Sequence, residues 1–420
     1  MHNFQPLTKI ATALTVLLTT AGLSTALSQS TPAVGSGRTA VESVASPPRK
    51  QTLRDLQADA KEMESLAEAF VQQRKIPGMA MALVQNGRIL SARGYGVTDT
   101  RTGQPIKPDT VFRIASLSKA FAATMTGILV EEKALSWDTP VSSQLPAFKL
   151  RNYAASQRLT VSDILSHQVG LAHGTYDRDL ESNVPYPVLA DRLSNAPMIC
   201  TPGNCYGYQN IAYSLIGDMV FAVTGDFYTH QVETKIFNPL GMKNATYGFD
   251  GLRASNNWAR PHVYGKRGWV SETPSENYYH VPPAAGVNAS ITDMALWLNA
   301  QLGHRPDVLS PALLEKIHSP QVATPSELRS SGWRHARLSR ASYGLGWRVF
   351  TYQGRTLIFH GGLLRGYQGV IAFLPEEDVG IVVLWNSTTA SPSAFLPTWM
   401  DRALGIRGEN WLGLKDEAVE

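Results

Sequence analysis

Apolar residues recur at helical spacing over residues 53–73, where Leu56, Met63, Leu66 and Phe70 lie among charged neighbours. That period predicts an amphipathic helix ending before Pro77-Gly78. Two apolar runs follow, 79–84 and 88–95, separated by Gln85-Asn86-Gly87. Asn-Gly favours the left-handed backbone of a tight hairpin, so a pair of strands is expected. From Ser116 to residue 135 the chain is uninterrupted helix former, with Phe121, Met125, Ile128 and Leu129 on one side. Further helical segments, among them 160–167 and 211–224, extend to about residue 275 between loops of Pro, Gly and Asn. The character then changes to short β-rich runs at 355–359, 369–374 and 380–385, followed by a helix-like stretch at 393–403. No internal repeat is present.

Strands at both ends with helices between them predict an α+β fold in which the terminal segments share one sheet. Residues 51–120 and 275–410 are expected to form an α/β domain and 121–274 a helical one, with a cleft between them. The composition fits, since 43% of the 420 residues are hydrophobic and 17% charged, enough for a large core. The net charge is only +4 and no long basic run occurs, which argues against nucleic acid as a partner.

The first 28 residues change the picture of where the protein works. Lys9 precedes an uncharged apolar stretch at 10–23, and small residues at Ser24, Ala26 and Ser28 offer cleavage sites, the pattern of a secretory signal. Residues 29–50, rich in Ser, Thr, Ala, Gly and Pro, read as a flexible linker. An exported, periplasmic or secreted protein is expected, with no membrane span in the mature chain. The only cysteines, Cys200 and Cys205, flank Thr-Pro-Gly-Asn. In an oxidising compartment they suit a local disulfide. A zinc site is the rival, but no second ligand pair lies at nearby spacing.

Three polar elements carry the candidate chemistry. In Ser116-Leu-Ser-Lys119, serine and lysine lie one helical turn apart. A serine hydroxyl needs a base within hydrogen-bond reach, and burial near a helix start favours the neutral, basic amine. Alone, the pattern also fits an N-cap serine with an exposed lysine one turn on. Tyr208-Gln-Asn210 precedes the 211–224 helix. A tyrosine beside a lysine can have its phenolate stabilised and move a proton, and Asn210 offers an amide to a substrate carbonyl group. The alternative is a buried aromatic followed by a helix cap. His360-Gly361-Gly362 ends the run 355–359. Its glycines let a substrate lie along a strand edge, and its histidine can hold a proton or bond a substrate oxygen, although such a tripeptide also serves as a plain turn.

Together these residues resemble the serine β-lactamase and penicillin-binding-protein superfamily, in its class C-like branch with D-Ala-D-Ala carboxypeptidases, D-aminopeptidases and carboxylesterases. The likeness spans roughly residues 55 to 405 and includes the segments 111–116, 159–171, 236–242, 283–290, 343–347 and 380–386. It implies an antiparallel sheet beside a helical domain, an acyl-enzyme on Ser116, Lys119 as its activator, and Tyr208 as the family tyrosine. It further implies Asn210 in contact with substrate, the 360–362 segment as third motif, and an oxyanion hole of the Ser116 and Leu363 backbone N–H groups. No metal or cofactor is implied. Class C β-lactamases carry Lys-Thr-Gly as the third motif, so His360-Gly361 removes a cation that would attract a carboxylate. Arg365 either replaces that charge or is a surface residue.

The resulting expectation is an exported serine hydrolase acting on a small-molecule or peptide substrate through an amide, peptide or ester bond. The other reading is a non-catalytic protein that binds or senses cell-wall fragments. A conventional Ser-His-Asp lipase is a weaker reading still, because no Gly-x-Ser-x-Gly elbow occurs in the chain.

Overall fold

The computed structural model describes residues 55–415. The signal-like segment 1–28 and the linker 29–50 lie outside the described residues. Helix α1, Gln57–Arg74, ends at Lys75, which takes the left-handed conformation with φ 52°. Strands β1, Gly78–Gln85, and β2, Arg88–Gly96, form the expected hairpin, turned through Asn86 at φ 51° and Gly87 at φ 71°. Strand β3, Val111–Arg113, leads through a short 3-10 turn, Ala115–Leu117, into α2, Ser118–Glu131. Helix α3 is Ile211–Thr224, as its pattern predicts. Strand β4, Val287–Ser290, pairs with β3 and runs into α4, Ile291–Asn299. Then come β5, Leu338–Tyr343; β6, Arg348–Tyr352; β7, Arg355–Leu364; β8, Tyr367–Leu374; β9, Val379–Trp385; and α5, Phe395–Ala403.

The main sheet is antiparallel in the order β2-β1-β9-β8-β7-β6-β5, closed at one edge by the two-residue strand Val322–Ala323. Both parts of the chain meet where Met79 of β1 stands opposite Trp385 of β9. The period-2 alternation of these strands feeds two cores. Met79, Met81 and Leu83 pack with Phe70 of α1 and Phe395 and Trp399 of α5. Ala80, Ala82 and Val84 join the opposite core, with Phe121 of α2 and Trp297 of α4 stacked at 4.0 Å. Because β1 and β9 are buried along their whole length, they appear in the sequence as continuous apolar runs.

Three differences from the sequence reading bear on the site. The helix expected over 116–135 starts as the 3-10 turn and ends at Glu131. The run 355–359 does not stop at His360: β7 continues through both glycines to Leu364, because backbone pairing with β8 outweighs the low strand propensity of Gly361 and Gly362. The strands β5 and β6 have no counterpart in that reading. Cys200 and Cys205 are joined as a disulfide, with Cα atoms 6.2 Å apart.

Candidate active site

Ser116 stands in the turn between β3 and α2, and the backbone there is forced. Ala115 has φ 52°, a left-handed conformation that costs an alanine free energy and persists only where surroundings hold it. Three contacts hold it. Ile114 N donates to Val287 O at 3.1 Å, Ser118 Oγ donates to Ala115 O at 2.6 Å, and Val287 N donates to Ser118 Oγ at 3.1 Å. The turn also presses on β7 at Gly362, where an added Cβ would lie 2.4 Å from Ile114 O and 2.8 Å from Leu117 Cδ1. Only glycine permits that approach. Across residues 111–127, Ser116 alone is not buried.

One turn on, Lys119 is fully buried. Its Nζ lies 3.3 Å from Ser116 Oγ, 2.8 Å from Asn210 Oδ1 and 3.0 Å from Ala284 O. Burial pulls its pKa down to about 7; the Asp177 carboxylate opposes the shift and Arg348 adds to it. The two carbonyl oxygens can only accept, so in the neutral amine they take both N–H bonds and leave the lone pair facing the Ser116 hydroxyl. The pattern Ser-x-x-Lys thus marks an internal, deprotonatable lysine here, not an exposed one beside a cap.

Tyr208 and Asn210 approach from the other side. The Lys119 Nζ lies over the Tyr208 ring, 4.6 Å from its centroid, and the Tyr208 phenol is close enough to Ser116 for the serine to lower its pKa. Burial pushes the Tyr208 phenol well above its usual value, and Ser116 and Arg348 only partly offset this. The pull towards phenolate expected from a neighbouring lysine is outweighed here: Lys119 meets the ring face, and Tyr208 stays a neutral phenol. The ring is fixed by His167 at 4.2 Å and Tyr343 at 6.4 Å. Asn210 accepts from Lys119 and donates through Nδ2 to Asp177 Oδ2 at 2.9 Å, so both ends of its amide are used inside the protein. Its side chain does not cap α3, and the second Nδ2 hydrogen is left to meet a substrate carbonyl group.

His360 is likewise engaged within the protein. It is buried, its Nε2 lies 3.0 Å from the Tyr343 hydroxyl and its Nδ1 is 2.8 Å from Gly361 O. Burial, then the positive Arg348 and Lys119, hold its pKa well below the usual imidazole range. A neutral ring with both nitrogens engaged braces the wall and offers no charge to a ligand. Strand β6 pairs with β7 only as far as Arg348 opposite Phe359, so residues 360–364 have a strand partner on the β8 side alone. Gly361, Gly362 and the exposed Leu363 therefore present a strand edge beside the Ser116 turn. Arg365 is exposed and paired with Glu272, Nε to Oε2 at 2.6 Å.

Sequence reasoning missed Asp177, His167, Arg348 and Tyr213, whose hydroxyl donates to Lys119 O at 2.7 Å. His167 lies within the 159–171 segment quoted for the resemblance, so a signal existed. Asp177 and Arg348 have no local pattern. A hydroxyl, an amine with a pKa of about 7 and a phenol thus converge in one crevice beside a strand edge. Among the described residues, no group of three His, Cys, Asp or Glu is arranged to hold a metal ion, and no helix is long and apolar enough to cross a membrane.

Comparison with known proteins gives the same outline. Residues 63–404 match the family model described as Beta-lactamase. A curated relative from Aspergillus campestris, named unguisins hydrolase, is 30% identical over 335 residues, covering 75% of this chain and 59% of its own length. The chain thus spans about three fifths of that relative. The octameric penicillin-binding protein homologue from Pyrococcus abyssi superposes with a TM-score of 0.75 at 25% identity, covering 84% of this chain and 79% of that one. A class C β-lactamase superposes at 0.65 with 21% identity, covering 80% and 95%. Strand order, the buried lysine one turn from a partly exposed serine, and a family match over 63–404 all agree: this chain belongs to the Beta-lactamase family.

Proposed function

We propose that the protein is a serine hydrolase that forms an acyl-enzyme on Ser116 and hydrolyses an amide, peptide or ester. The observation that carries this reading is the position of Lys119 Nζ, 3.3 Å from Ser116 Oγ and buried, with a pKa of about 7. Ser116 Oγ attacks the substrate carbonyl carbon as its proton passes to Lys119 Nζ. Tyr208 carries the proton on to the leaving group. The backbone N–H groups of Ser116 and Leu363 hold the oxyanion, and water then releases the acyl group. The sheet portion, 51–120 and 275–410, and the helical portion, 121–274, form the walls of the cleft in this reading.

Export is part of the proposal. The signal-like first 28 residues and the Cys200–Cys205 disulfide support an oxidising compartment outside the cytoplasm. The hydrolase named among the relatives and the esterase and carboxypeptidase branches of the resemblance support an ester or peptide over a β-lactam, since no lysine stands in the third motif.

The test is covalent labelling with a fluorophosphonate or a fluorescent penicillin, alongside turnover of short-chain p-nitrophenyl esters, nitrocefin and a D-Ala-D-Ala peptide. Wild type is expected to label and turn over at least one substrate, and Ser116→Ala to do neither. Equal labelling of both proteins excludes the assignment. Tight peptide binding without turnover would favour a binding or sensing protein instead.

A further inference from the structure

A second feature lies three residues before Ser116. Arg113, at the end of β3, is 3% exposed and lines a cavity of about 730 Å³ together with Glu181, Glu272, Tyr278, Leu363 and Arg365. The cavity adjoins the candidate site at Leu363. It also adjoins it at Tyr278, whose phenol is pushed up first by burial and then by the Asp177 carboxylate.

The guanidinium is held but not neutralised. Its Cζ lies 3.8 Å over the Tyr279 ring and Nη1 donates to Ser275 O at 2.5 Å. Nε and Nη2 are buried and have no hydrogen-bond partner, and among the described residues no carboxylate pairs with it. The other charges of the cavity are occupied or wet. Arg365 is bound by Glu272 through both its Nε and Nη2, and the exposed Glu181 accepts from the Tyr278 hydroxyl at 2.9 Å. Burying a cation with two open donors is costly unless an anion completes it. A planar guanidinium with adjacent Nε and Nη2 unpaired has the fork that matches a carboxylate, and because both atoms are covered in this state a ligand reaches them by displacing part of the cavity lining. His360, neutral and internal, supplies no cation to do this work from the third motif.

We propose that Arg113 anchors a carboxylate of the substrate in this cavity, so that the enzyme selects esters or amides bearing an anionic group. The assignment rests on Ser116 being the nucleophile, and it is independent of which bond is cleaved.

Two matched ester pairs test it in the full protein. Mono-p-nitrophenyl glutarate against p-nitrophenyl butyrate places the carboxylate on the acyl side, and the acetyl ester of 3-hydroxybenzoate against phenyl acetate places it on the leaving group. Wild type is expected to prefer the anionic member of at least one pair by tenfold or more in kcat/KM, the difference residing mainly in KM. Arg113→Met should reduce that ratio at least tenfold, and Arg113→Lys should restore part of it. A wild-type ratio near one in both pairs overturns the proposal, and so does a ratio that Arg113→Met leaves intact. A binding readout guards against misfolding of the Arg113 variants: in Ser116→Ala, glutarate should raise the melting temperature where glutaramide does not, and equal effects of the two overturn the proposal. Should Ser116→Ala retain full ester turnover, it is the nucleophile assignment that fails, a result distinct from any loss of anion preference.

Discussion

Asn210 Oδ1 lies 2.8 Å from Lys119 Nζ, nearer than the Ser116 oxygen at 3.3 Å. The amide is in turn held by Asp177, which makes this carboxylate the electrostatic partner of the lysine at one remove. A neutral amine is the competent base, so kcat/KM for a neutral ester should rise with pH through a limb near pH 7. Asp177 raises the lysine pKa, hence Asp177→Asn removes a charge that favours the ammonium and should move that limb to lower pH. A pH profile of p-nitrophenyl butyrate hydrolysis reads it directly, and a limb that stays put or moves up contradicts the arrangement.

The same burial makes stability depend on pH. Lys119 has its folded pKa lowered from 10.5 to about 7, so between those values the unfolded chain binds a proton that the folded chain does not. Stability from this group is full above the unfolded value and is lost as pH falls towards 7. From pH 9 to pH 7 the loss attributable to Lys119 is about 2–3 kcal/mol at one proton over two pH units. Urea unfolding of wild type and Lys119→Met at both values checks it: the wild type should lose more stability than the variant, and parallel behaviour would show that Lys119 is not held neutral.

How much of this was legible in the sequence depends on whether the cause is local. The Asn86-Gly87 hairpin, α3 and the buried strands β1 and β9 follow from period and turn chemistry, since backbone preference and burial agree there. Ser116, Lys119 and Tyr208 are brought together as their motifs suggested. The errors arose where packing overrides local preference. The apolar run 355–359 reads as ending at His360, yet pairing with β8 draws the two glycines after it into the strand. For Asn210 and His360 the sequence shows which groups can bond, but not that Asp177 and Tyr343 hold them within the protein. Arg348, over the Tyr208 ring at 6.0 Å, is placed by β6, a strand whose apolar pattern is too short to stand out.

The adjacent glycines of β7 should respond differently to alanine. At Gly362 a Cβ meets the backbone oxygen of Ile114 at 2.4 Å, whereas at Gly361 the nearest atom is Phe359 Cζ at 3.6 Å. Backbone cannot yield cheaply, so Gly362→Ala should lose about 1–3 kcal/mol of stability by overpacking and displace the Ser116 turn. Fluorophosphonate labelling should fall with it. Gly361→Ala should unfold within a few degrees of wild type and still label. Thermal unfolding with labelling separates the two, and equal behaviour of the pair would mean that the Ser116 turn is not braced by β7.

Removing only the phenolic oxygen of Tyr208 isolates its chemistry from its packing. In Tyr208→Phe the ring remains under Lys119 and against His167, so the cation–π contact at 4.6 Å and the 4.2 Å ring contact survive. Stability should therefore change little. The proton path to the leaving group is lost, and kcat should drop about 10²–10⁴-fold, the range for one positioned acid–base group. The loss should be larger for an amide, whose nitrogen must be protonated before it departs, than for a p-nitrophenyl ester, whose phenolate leaves unaided. Because burial keeps the wild-type phenol neutral through the working range, the variant should keep the limb near pH 7 while losing amplitude. Rates for both substrates across pH decide between roles: equal losses on ester and amide, or a vanished limb, would place Tyr208 with Lys119 in activating Ser116 and remove it from the leaving-group step.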